Sequence, residues 1–423
     1  MSARGQIERL AVAPSRTKLA LFKQPNFRRF FAGYATSLFG TGMAPVAVSF
    51  AVLNGGGSAS QLGFVLTAVV TTTIVGLLVG GVLADRFGRR RLMLGSDLLR
   101  CVAQGTFAAL VIVGHAPLWS LIGVIAVSGL GSGLFSPALT ALTREIVSEG
   151  EVHDANALIG LARNVGSVGG PAVAGGLVAV TNAGVVVAAD AFTFAVSVVS
   201  LAMLELDRGH EGRVSSILDD LREGWDAWRS RSWILITDIK FALSNAIVLS
   251  PWFVLGPAIA KRHLGGASAW GLVLTAQGAG AIVAGLALVG RRPGRPLVLA
   301  TVVQAAWALP LIGLALIMPA WAIAVGAFAA GIGSAVFVAI WTTTLQRNVP
   351  HAVLARVSSY DSLTAFALGP IGLALAGPIA ARVGDATLLW IGAGWQLLST
   401  LFVLALPQIR RFHDPPRPAF KTS

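Results

Sequence analysis

The sequence has 423 residues, of which 55% are apolar and only 12% are charged, and its formal net charge is +13. A soluble domain carries about 25% charged residues, so this composition excludes an ordinary aqueous globule and favours a polytopic membrane protein. The 49 Gly residues follow no three-residue period and the single Cys cannot form an internal disulfide, which also excludes collagen-like and disulfide-stapled chains.

Apolar runs bounded by Gly, Pro and charged residues predict twelve membrane-spanning helices, because a bilayer core about 30 Å thick requires about 20 apolar residues per helix. The first six predicted spans cover residues 30–53, 61–84, 92–113, 118–142, 155–180 and 183–205. The second six cover residues 232–260, 268–290, 297–318, 320–345, 357–381 and 386–409.

The two sets of six spans share sequence features. Span 5 contains Gly170-Pro171 and Gly175-Gly176, and span 11 contains Gly369-Pro370 and Gly377-Pro378. Repeated halves are typical of transporters that bind substrate between them near the membrane midplane. We therefore predict an all-α membrane protein made of two pseudo-symmetric six-helix bundles. The predicted segments are an N-terminal segment at 1–29, bundles at 30–205 and 232–409, a linker at 206–231 and a tail at 410–423.

The basic residues predict the orientation of these spans. Of the 32 Lys and Arg residues, 26 lie in the termini and loops on one side of the predicted bundle and 3 lie on the other. Because Lys and Arg accumulate in short cytoplasmic loops, we expect both termini and the linker to be cytoplasmic in a multi-pass protein of a bacterial cell membrane. Topology thus explains the positive charge, and no nucleic-acid partner is expected.

The linker has the pattern of an amphipathic helix lying at the cytoplasmic interface. A regulatory docking helix is the alternative interpretation of the same pattern. The apolar residues of the linker recur at helical spacing. They are Val214, Ile217, Leu218, Leu221, Trp225 and Trp228.

A charged loop joins spans 2 and 3. It reads Gly81-Val82-Leu83-Ala84-Asp85-Arg86-Phe87-Gly88-Arg89-Arg90-Arg91. Gly88 suits a tight turn. A loop that only marks the cytoplasmic side would explain the arginines but neither Asp85 nor the glycine spacing.

This loop closely resembles the G-x-L-a-D-R-x-G-R-R loop between helices 2 and 3 of the major facilitator superfamily. Further motifs extend the resemblance over nearly the whole chain, and together they are similar to the twelve-helix drug, macrolide and siderophore exporter branch. These motifs are Asn26-Phe27-Arg28-Arg29, Asn156-Ala157, Asp190-Ala191-Phe192-Thr193-Phe194, Val349-Pro350 and Arg356-Val357.

The resemblance implies a gating latch that holds the two halves together in the outward-open state. The latch residues are Gly81, Asp85, Arg86, Gly88, Arg89 and Arg90. The equivalent second-half loop, Gly290-Arg291-Arg292-Pro293-Gly294-Arg295, lacks an acidic residue, so any latch is one-sided. Span 4 also lacks the arginine that serves proton coupling in many drug antiporters, so that role is not transferred.

Span 5 contains an element similar to the G-P-x-x-G-G element of the antiporter branch, with a spacing one residue longer. Close packing of span 5 against span 8 would require the same small residues, so both interpretations stay open. The element consists of Gly166, Gly170, Pro171, Gly175 and Gly176.

Charges within the predicted spans are candidates for proton transfer or ion pairing, because a charge at the bilayer centre costs about 2.5–3.5 kcal/mol on insertion scales. Asp97 and Arg100 are spaced to pair on one face of span 3, as a structural ion pair or as a proton site. Arg163 and Asp190 have no evident local partner. Asp190 and Asp238 are the preferred proton carriers, with a salt bridge or hydrogen-bonded carboxyl as the alternative.

Asp361 lies at the predicted start of span 11, where a carboxylate suits a helix N-terminus. The predicted cavity helices supply large aromatic side chains and a few amides, which suit a bulky amphiphilic ligand. For each of these residues, simple packing is the alternative role. The cavity candidates are Tyr34, Asn245, Trp252, Gln277, Gln304, Trp307 and Trp341.

The sequence lacks the G-x-x-x-x-G-K-[ST] loop of P-loop ATPases and the H-E-x-x-H, C-x-x-C and G-x-S-x-G motifs of common enzymes. We therefore expect no enzymatic activity, no cofactor and no metal. The predicted function is secondary active export of amphiphilic small molecules by proton antiport with alternating access. Proton-coupled import of a nutrient is the alternative, and a monomer in the lipid bilayer is expected.

Overall fold

The computed structural model describes residues 18–114, 116–205, 225–288 and 293–412. Twelve long helices and no strand occur in these ranges, which confirms the predicted all-α membrane fold. The helices are α1 Pro25–Asn54, α2 Ala59–Phe87, α3 Arg89–Val113, α4 Leu118–Ile146, α5 Val152–Val180, α6 Ala183–Ala202, α7 Ser232–Leu264, α8 Ala267–Leu288, α9 Pro296–Ala315, α10 Ala320–Asn348, α11 His351–Ala367 with Gly369–Val383, and α12 Asp385–Ala405.

Within the described ranges, 11 helices are long and apolar enough to cross a membrane. The remaining long helix, α5, has a similar length, but its glycines, Arg163 and Asn164 reduce its apolar content. Most of the predicted linker, residues 206–224, lies outside the described residues, and residues 225–229 are helical.

Local sequence signals set several of the helix ends. Ser58 caps α2 by accepting a hydrogen bond from the Gln61 backbone N–H, and the Gln61 side chain accepts one from the Ser58 backbone N–H. Gly88 alone separates α2 from α3, with a φ of +85° that favours glycine. α11 begins at His351, earlier than its predicted span, so Asp361 lies inside the helix and not at its N-terminus.

α1 to α6 form one bundle, the N-half, and α7 to α12 form the second, the C-half. Within the twelve described helices, the departures from α-helical geometry all lie in the C-half. α7 contains two π-helical segments, Asn245–Leu249 and Ala260–Leu264, and α9 contains a 3₁₀ turn at Ala305–Trp307. α11 is interrupted at Leu368, where Pro370 cannot donate to the preceding turn and disfavours helical geometry before it.

The ends of the bundle differ in charge. We call the end where α1 begins and α12 ends the basic end, because the Arg-rich α2–α3 loop lies there, and the other the distal end.

The close contacts between the halves begin at the distal end and extend to near mid-depth. The deepest hydrogen bond among them, at Val168, lies about 18 Å along α5 from the C-terminus of that helix. Thr67 of α2 donates to the Pro370 carbonyl of α11 over 3.2 Å, and Thr275 of α8 donates to the Val168 carbonyl of α5 over 3.3 Å. Lys261 of α7 donates to the Leu53 carbonyl at the end of α1.

Small residues permit this close approach. A Cβ atom on Gly63 would lie 2.4 Å from the Leu373 carbonyl oxygen, and one on Gly377 would lie 2.3 Å from the Ser60 Cα. Towards the basic end, a Cβ atom added to Gly81 or Gly285 would have no heavy atom of a neighbouring element within 4 Å. Among the described helices, close packing between the halves involves α1, α2, α5, α7, α8 and the Gly369–Val383 part of α11, towards the distal end. The described part of the structure is therefore closed at the distal end and open towards the basic end.

Candidate functional site

An ion pair inside the N-half joins three helices. Asp97 Oδ1 lies 3.0 Å from Arg100 Nη1, one turn along α3, and these side chains are 0% and 8% exposed. Ser197 of α6 donates to Asp97 Oδ2 over 2.5 Å, and Arg100 Nη2 donates to Thr41 Oγ1 of α1 over 3.1 Å. Because each charge has a hydrogen-bonded partner, the pair fixes α1, α3 and α6 relative to one another.

Asp190 of α6 lies beside this ion pair and is 1% exposed. Gln104 Nε2 donates to Asp190 Oδ2 over 3.2 Å, and the Thr193 hydroxyl donates to the Asp190 carbonyl oxygen over 2.7 Å. Among the described residues, no cation lies within 4.0 Å of the Asp190 carboxyl. The described hydrogen-bond partners of Asp190 are therefore neutral.

These polar residues form part of the wall of a cavity of about 330 Å³ at mid-depth between the halves. Its volume lies within the usual 300–1,000 Å³ of small-molecule sites. Most of the wall is apolar, and Phe253 of α7 and Leu373 of α11 close it from the C-half. The polar lining residues are Thr41, Arg100, Gln104, Ser128, Ser132 and Asp190.

Two polar atoms of this cavity lack a partner. Arg100 Nε and Gln104 Oε1 are buried without a hydrogen bond in the structure. Buried polar atoms nearly always have a partner, and an unsatisfied one costs about 1–3 kcal/mol. Both atoms belong to residues of the cavity wall but are shielded from the cavity in this conformation, so these side chains must rotate before either atom can contact a ligand.

The C-half contains a second polar cluster built on corresponding helices. Lys240 Nζ of α7 donates to Gln304 Oε1 of α9 over 3.0 Å, and Gln396 Nε2 of α12 donates to the Gln304 carbonyl over 2.7 Å. In the N-half the equivalent helices α1, α3 and α6 carry Thr41, Arg100 and Asp190. The cation therefore lies on α3 in one half and on α7 in the other.

Asp238 and Asp361 form a carboxyl pair nearer the basic end. The two side chains lie within hydrogen-bonding range of each other. Trp228 Nε1 donates to Asp238 over 2.6 Å, and Trp341 Nε1 donates to Asp361 over 2.8 Å. An indole N–H thus holds each carboxyl in place.

The predicted cavity residues occupy different surroundings. Gln304 and Trp307 line a small cavity of about 90 Å³ in the C-half. Tyr34 stacks between Phe30 and Phe135, and Trp252 is fully buried against Trp270 and Trp307.

The other three cavity candidates contact neighbouring residues of the C-half. Asn245 donates to the Ala365 carbonyl over 2.7 Å. Trp341 donates to Asp361 and stacks on Phe337. The Gln277 carbonyl oxygen lies 1.9 Å from where a Cβ on Gly331 would be, which places Gln277 in the packed contact between α8 and α10.

The residues of the predicted latch lie at the open basic end. Asp85 is exposed and forms no ion pair with a described residue. Arg89 pairs with Glu145 of α4, and Arg90 donates to the Leu201 carbonyl of α6 over 2.9 Å. Arg86 lies over the Phe87 ring at 5.6 Å. These arginines therefore contact only their own half in this conformation, and Gly81 and Gly88 leave open space around them.

The glycine-rich element of α5 packs against two helices. Gly166 and Gly170 approach the α1 backbone, where a Cβ on either would lie within 2.7 Å of a backbone atom. Pro171 and Gly175 approach α8 in the same manner, whereas Gly176 has nothing within 4 Å. Arg163, earlier in α5, is exposed.

Sequence reasoning did not select Thr41, Gln104, Ser128, Ser132 or Phe194 as cavity residues. A usable signal was present for Gln104, since it follows Asp97 and Arg100 by seven and four residues and so shares their helix face. No comparable signal selects the small hydroxyl residues, because Ser and Thr also occur throughout membrane helices as packing residues.

Comparison with known proteins gives consistent matches. The family model of the Major Facilitator Superfamily matches residues 30–374. An enterobactin exporter from Citrobacter koseri is 30% identical over 417 residues, which cover 94% of this chain and 96% of that protein. Macrolide efflux protein A from Streptococcus pyogenes is 24% identical over 372 residues, covering 85% and 90%.

Solved structures show the same fold at low identity. A bacterial homologue of the iron transporter ferroportin, in an inward-facing state, has a TM-score of 0.67 and 18% identity, covering 90% of this chain and 98% of that one. An auto-inhibited peptide transporter of the POT family has a TM-score of 0.73 and 13% identity, covering 93% and 99%.

Proposed function

The chain belongs to the Major Facilitator Superfamily, and we propose that it exports amphiphilic small molecules by proton antiport with alternating access. The observation that carries this proposal is the mid-depth cavity of about 330 Å³, with its apolar wall and its Arg100, Gln104 and Asp190 polar patch. An amphiphile fits such a site because its apolar body fills the cavity while one polar group meets the patch.

Export is favoured by the relatives. The full-length matches to an enterobactin exporter and to a macrolide efflux protein both concern proteins named for outward transport. We therefore propose drug-like, macrolide-like or siderophore-like substrates. Proton-coupled import of a small nutrient is the second candidate, since the same cavity and carboxyls would serve symport.

We propose that the 26 basic residues at one end mark the cytoplasmic side of a bacterial inner membrane. Both termini and the linker then lie in the cytoplasm, and the described conformation faces inward. The chain would work as a monomer in the lipid bilayer, with its two bundles rocking about the mid-depth cavity.

The proton would be carried by Asp190, which lies in the wall of the substrate cavity and has no salt bridge to break. Asp238, paired with Asp361, is the second candidate. Proton entry supplies about 2.3 kcal/mol per charge per 100 mV of membrane potential. Asp85 and the neighbouring arginines would engage the C-half only when the basic end closes.

The test uses purified protein in liposomes that contain a pH-sensitive dye. Macrolides, tetracycline, cationic dyes and siderophores are added under an imposed proton gradient. Antiport predicts proton movement that requires substrate and runs opposite to it, and movement in the same direction would instead identify a symporter. No coupled movement with any of these compounds would refute proton-driven export of these substrate classes.

Variants assign the proton carrier in the same assay. Asp190→Asn should abolish proton movement, and Asp238→Asn should do so if the second carboxyl carries the proton. Asp226→Asn removes an exposed carboxylate paired with Arg229 and should behave as wild type. Normal coupling in both Asp190→Asn and Asp238→Asn would show that neither residue carries the proton.

A further inference from the structure

Lys240 is a buried cation without a counter-charge. It lies in α7, is 6% exposed and donates to the neutral Gln304 side chain over 3.0 Å. In the described part of the chain, no carboxylate lies within 4.0 Å of its ammonium. The nearby Asp238 is engaged with Trp228 and Asp361 instead. An unpaired charge within a membrane bundle is costly and marks a functional position.

The Gln304 side chain transmits this charge to a cavity wall. An ammonium group can only donate, so the Gln304 oxygen must face Lys240 and the Gln304 amide nitrogen must point away. That nitrogen makes no hydrogen bond with a described residue. Because the ammonium polarises the amide, Gln304 Nε2 is a strengthened donor for an acceptor on the other side.

The cavity beside Gln304 has the size and lining of a head-group site. Its volume is about 90 Å³, well below the usual 300–1,000 Å³ of sites that hold a whole small molecule. Ser244, Ser334 and Gln396 add polar groups to a wall otherwise formed by aromatic and aliphatic side chains. A carboxylate, phenolate or sulfonate end group fits this volume, whereas a whole amphiphile does not.

The small cavity lies next to the larger one along α7. Leu249 lines the 90 Å³ cavity and Phe253 lines the 330 Å³ cavity. These residues are one helical turn apart, about 6 Å along α7. A ligand whose body fills the larger cavity would have to extend by about this distance to place an end group in the smaller one.

We propose that Lys240 and Gln304 form an anion subsite that selects amphiphiles carrying one negatively charged end group. This subsite rests on the proposed function in that the larger cavity holds the transported molecule. Lys240 supplies the charge, and Gln304 donates the direct hydrogen bond.

Binding of a matched pair of probes tests the subsite. Dansylglycine carries a carboxylate, and its methyl ester has the same body without the charge. Both are titrated by fluorescence against the full chain in lipid nanodiscs, with empty nanodiscs subtracted. Wild type should bind the carboxylate at least about tenfold more tightly than the ester, as expected for a charge-assisted hydrogen bond.

Lys240→Met should abolish this preference and leave ester affinity within about twofold of wild type. Lys240→Arg should keep most of the preference. Lys23→Met removes an exposed lysine at the basic end and should match wild type. The melting temperature of ligand-free Lys240→Met should not fall, because the substitution removes an uncompensated buried charge. If that variant does not fold, Lys240→Gln serves in its place.

Equal binding of the two probes by wild type, or a preference that survives in Lys240→Met, would overturn the subsite. The liposome assay separates this result from failure of the proposed export. Carboxylate preference without coupled proton movement would keep the subsite and refute proton-driven export. Coupled transport of both probes, bound with equal affinity, would refute the subsite and support proton-driven export.

Discussion

Loss of the hydrogen bonds that join the halves at the distal end should shift the protein towards a conformation open at that end. Lys261 donates to the Leu53 carbonyl at the C-terminus of α1, and Thr67 donates to the Pro370 carbonyl of α11. Both bonds connect the N-half to the C-half. They would break when the distal end opens, so Lys261→Met and Thr67→Val weaken only the closed state.

The size of the shift follows from the two bonds. A partly exposed charged hydrogen bond to a helix C-terminus is worth about 1 kcal/mol, so Lys261→Met should change the ratio of open to closed about fivefold. Thr67 also donates to the Gly63 carbonyl of its own helix over 2.8 Å, so its bond to Pro370 contributes less, about 0.5 kcal/mol. If the effects add, the double variant shifts the ratio about tenfold.

Double electron–electron resonance measures this ratio directly. Spin labels replace Trp119 and Trp321, which are 75% and 68% exposed at the distal starts of α4 and α10. The experiment uses a Cys101→Ser background, so the labels attach only at the two new cysteines. The double variant should increase the long-distance population about tenfold.

Arg382→Met is the matched control, because it removes a distal-end charge that makes no ion pair or hydrogen bond to a described residue. It should leave the distance distribution unchanged. A double variant with the wild-type distribution would refute the argument that these two bonds hold the distal end closed.

Three further predictions concern stability and the latch. Asp97→Asn should lower the free energy of unfolding by about 3–5 kcal/mol, because it leaves Arg100 as an uncompensated buried charge; a loss below about 1 kcal/mol in denaturant titrations would contradict this. Gly170→Val should prevent correct folding, since its Cβ would lie 2.4 Å from an α1 backbone carbon, whereas Gly176→Val should be tolerated because its position is open; size-exclusion chromatography of the two variants checks the contrast. Asp85→Asn should leave the melting temperature unchanged but lower the rate of transport in liposomes, because we propose that Asp85 engages the C-half when the basic end closes; an unchanged transport rate would argue against the latch.

Helix number and order were predictable because a bilayer imposes a minimum apolar length on every span. Helix ends were less predictable. α11 starts before the apolar run because His351 and the residues after it form helix at the basic end, outside the apolar region that defined the predicted span. Asp361 was therefore assigned to a helix N-terminus that lies elsewhere.

The polar clusters depend on contacts that sequence spacing does not encode. The Asp97–Arg100 spacing indicates a pair because both residues share a helix face. Gln104 and Asp190 lie 86 residues apart, and Lys240 and Gln304 lie 64 apart, so only the packing of the bundle brings them together. Aromatic residues such as Tyr34 and Trp252 were placed in the cavity by type, but their helix faces point into packed aromatic clusters.

The π-helical segments, the 3₁₀ turn and the interruption of α11 all lie in described helices of the C-half, so the two pseudo-symmetric bundles differ in local backbone geometry. Such segments are places where a helix bends. The N-half also contains interior prolines, Pro45, Pro137 and Pro171, but its described helices stay α-helical around them. A duplicated architecture has thus diverged in its backbone, and we expect α7 and α11 to bend most when the bundles move.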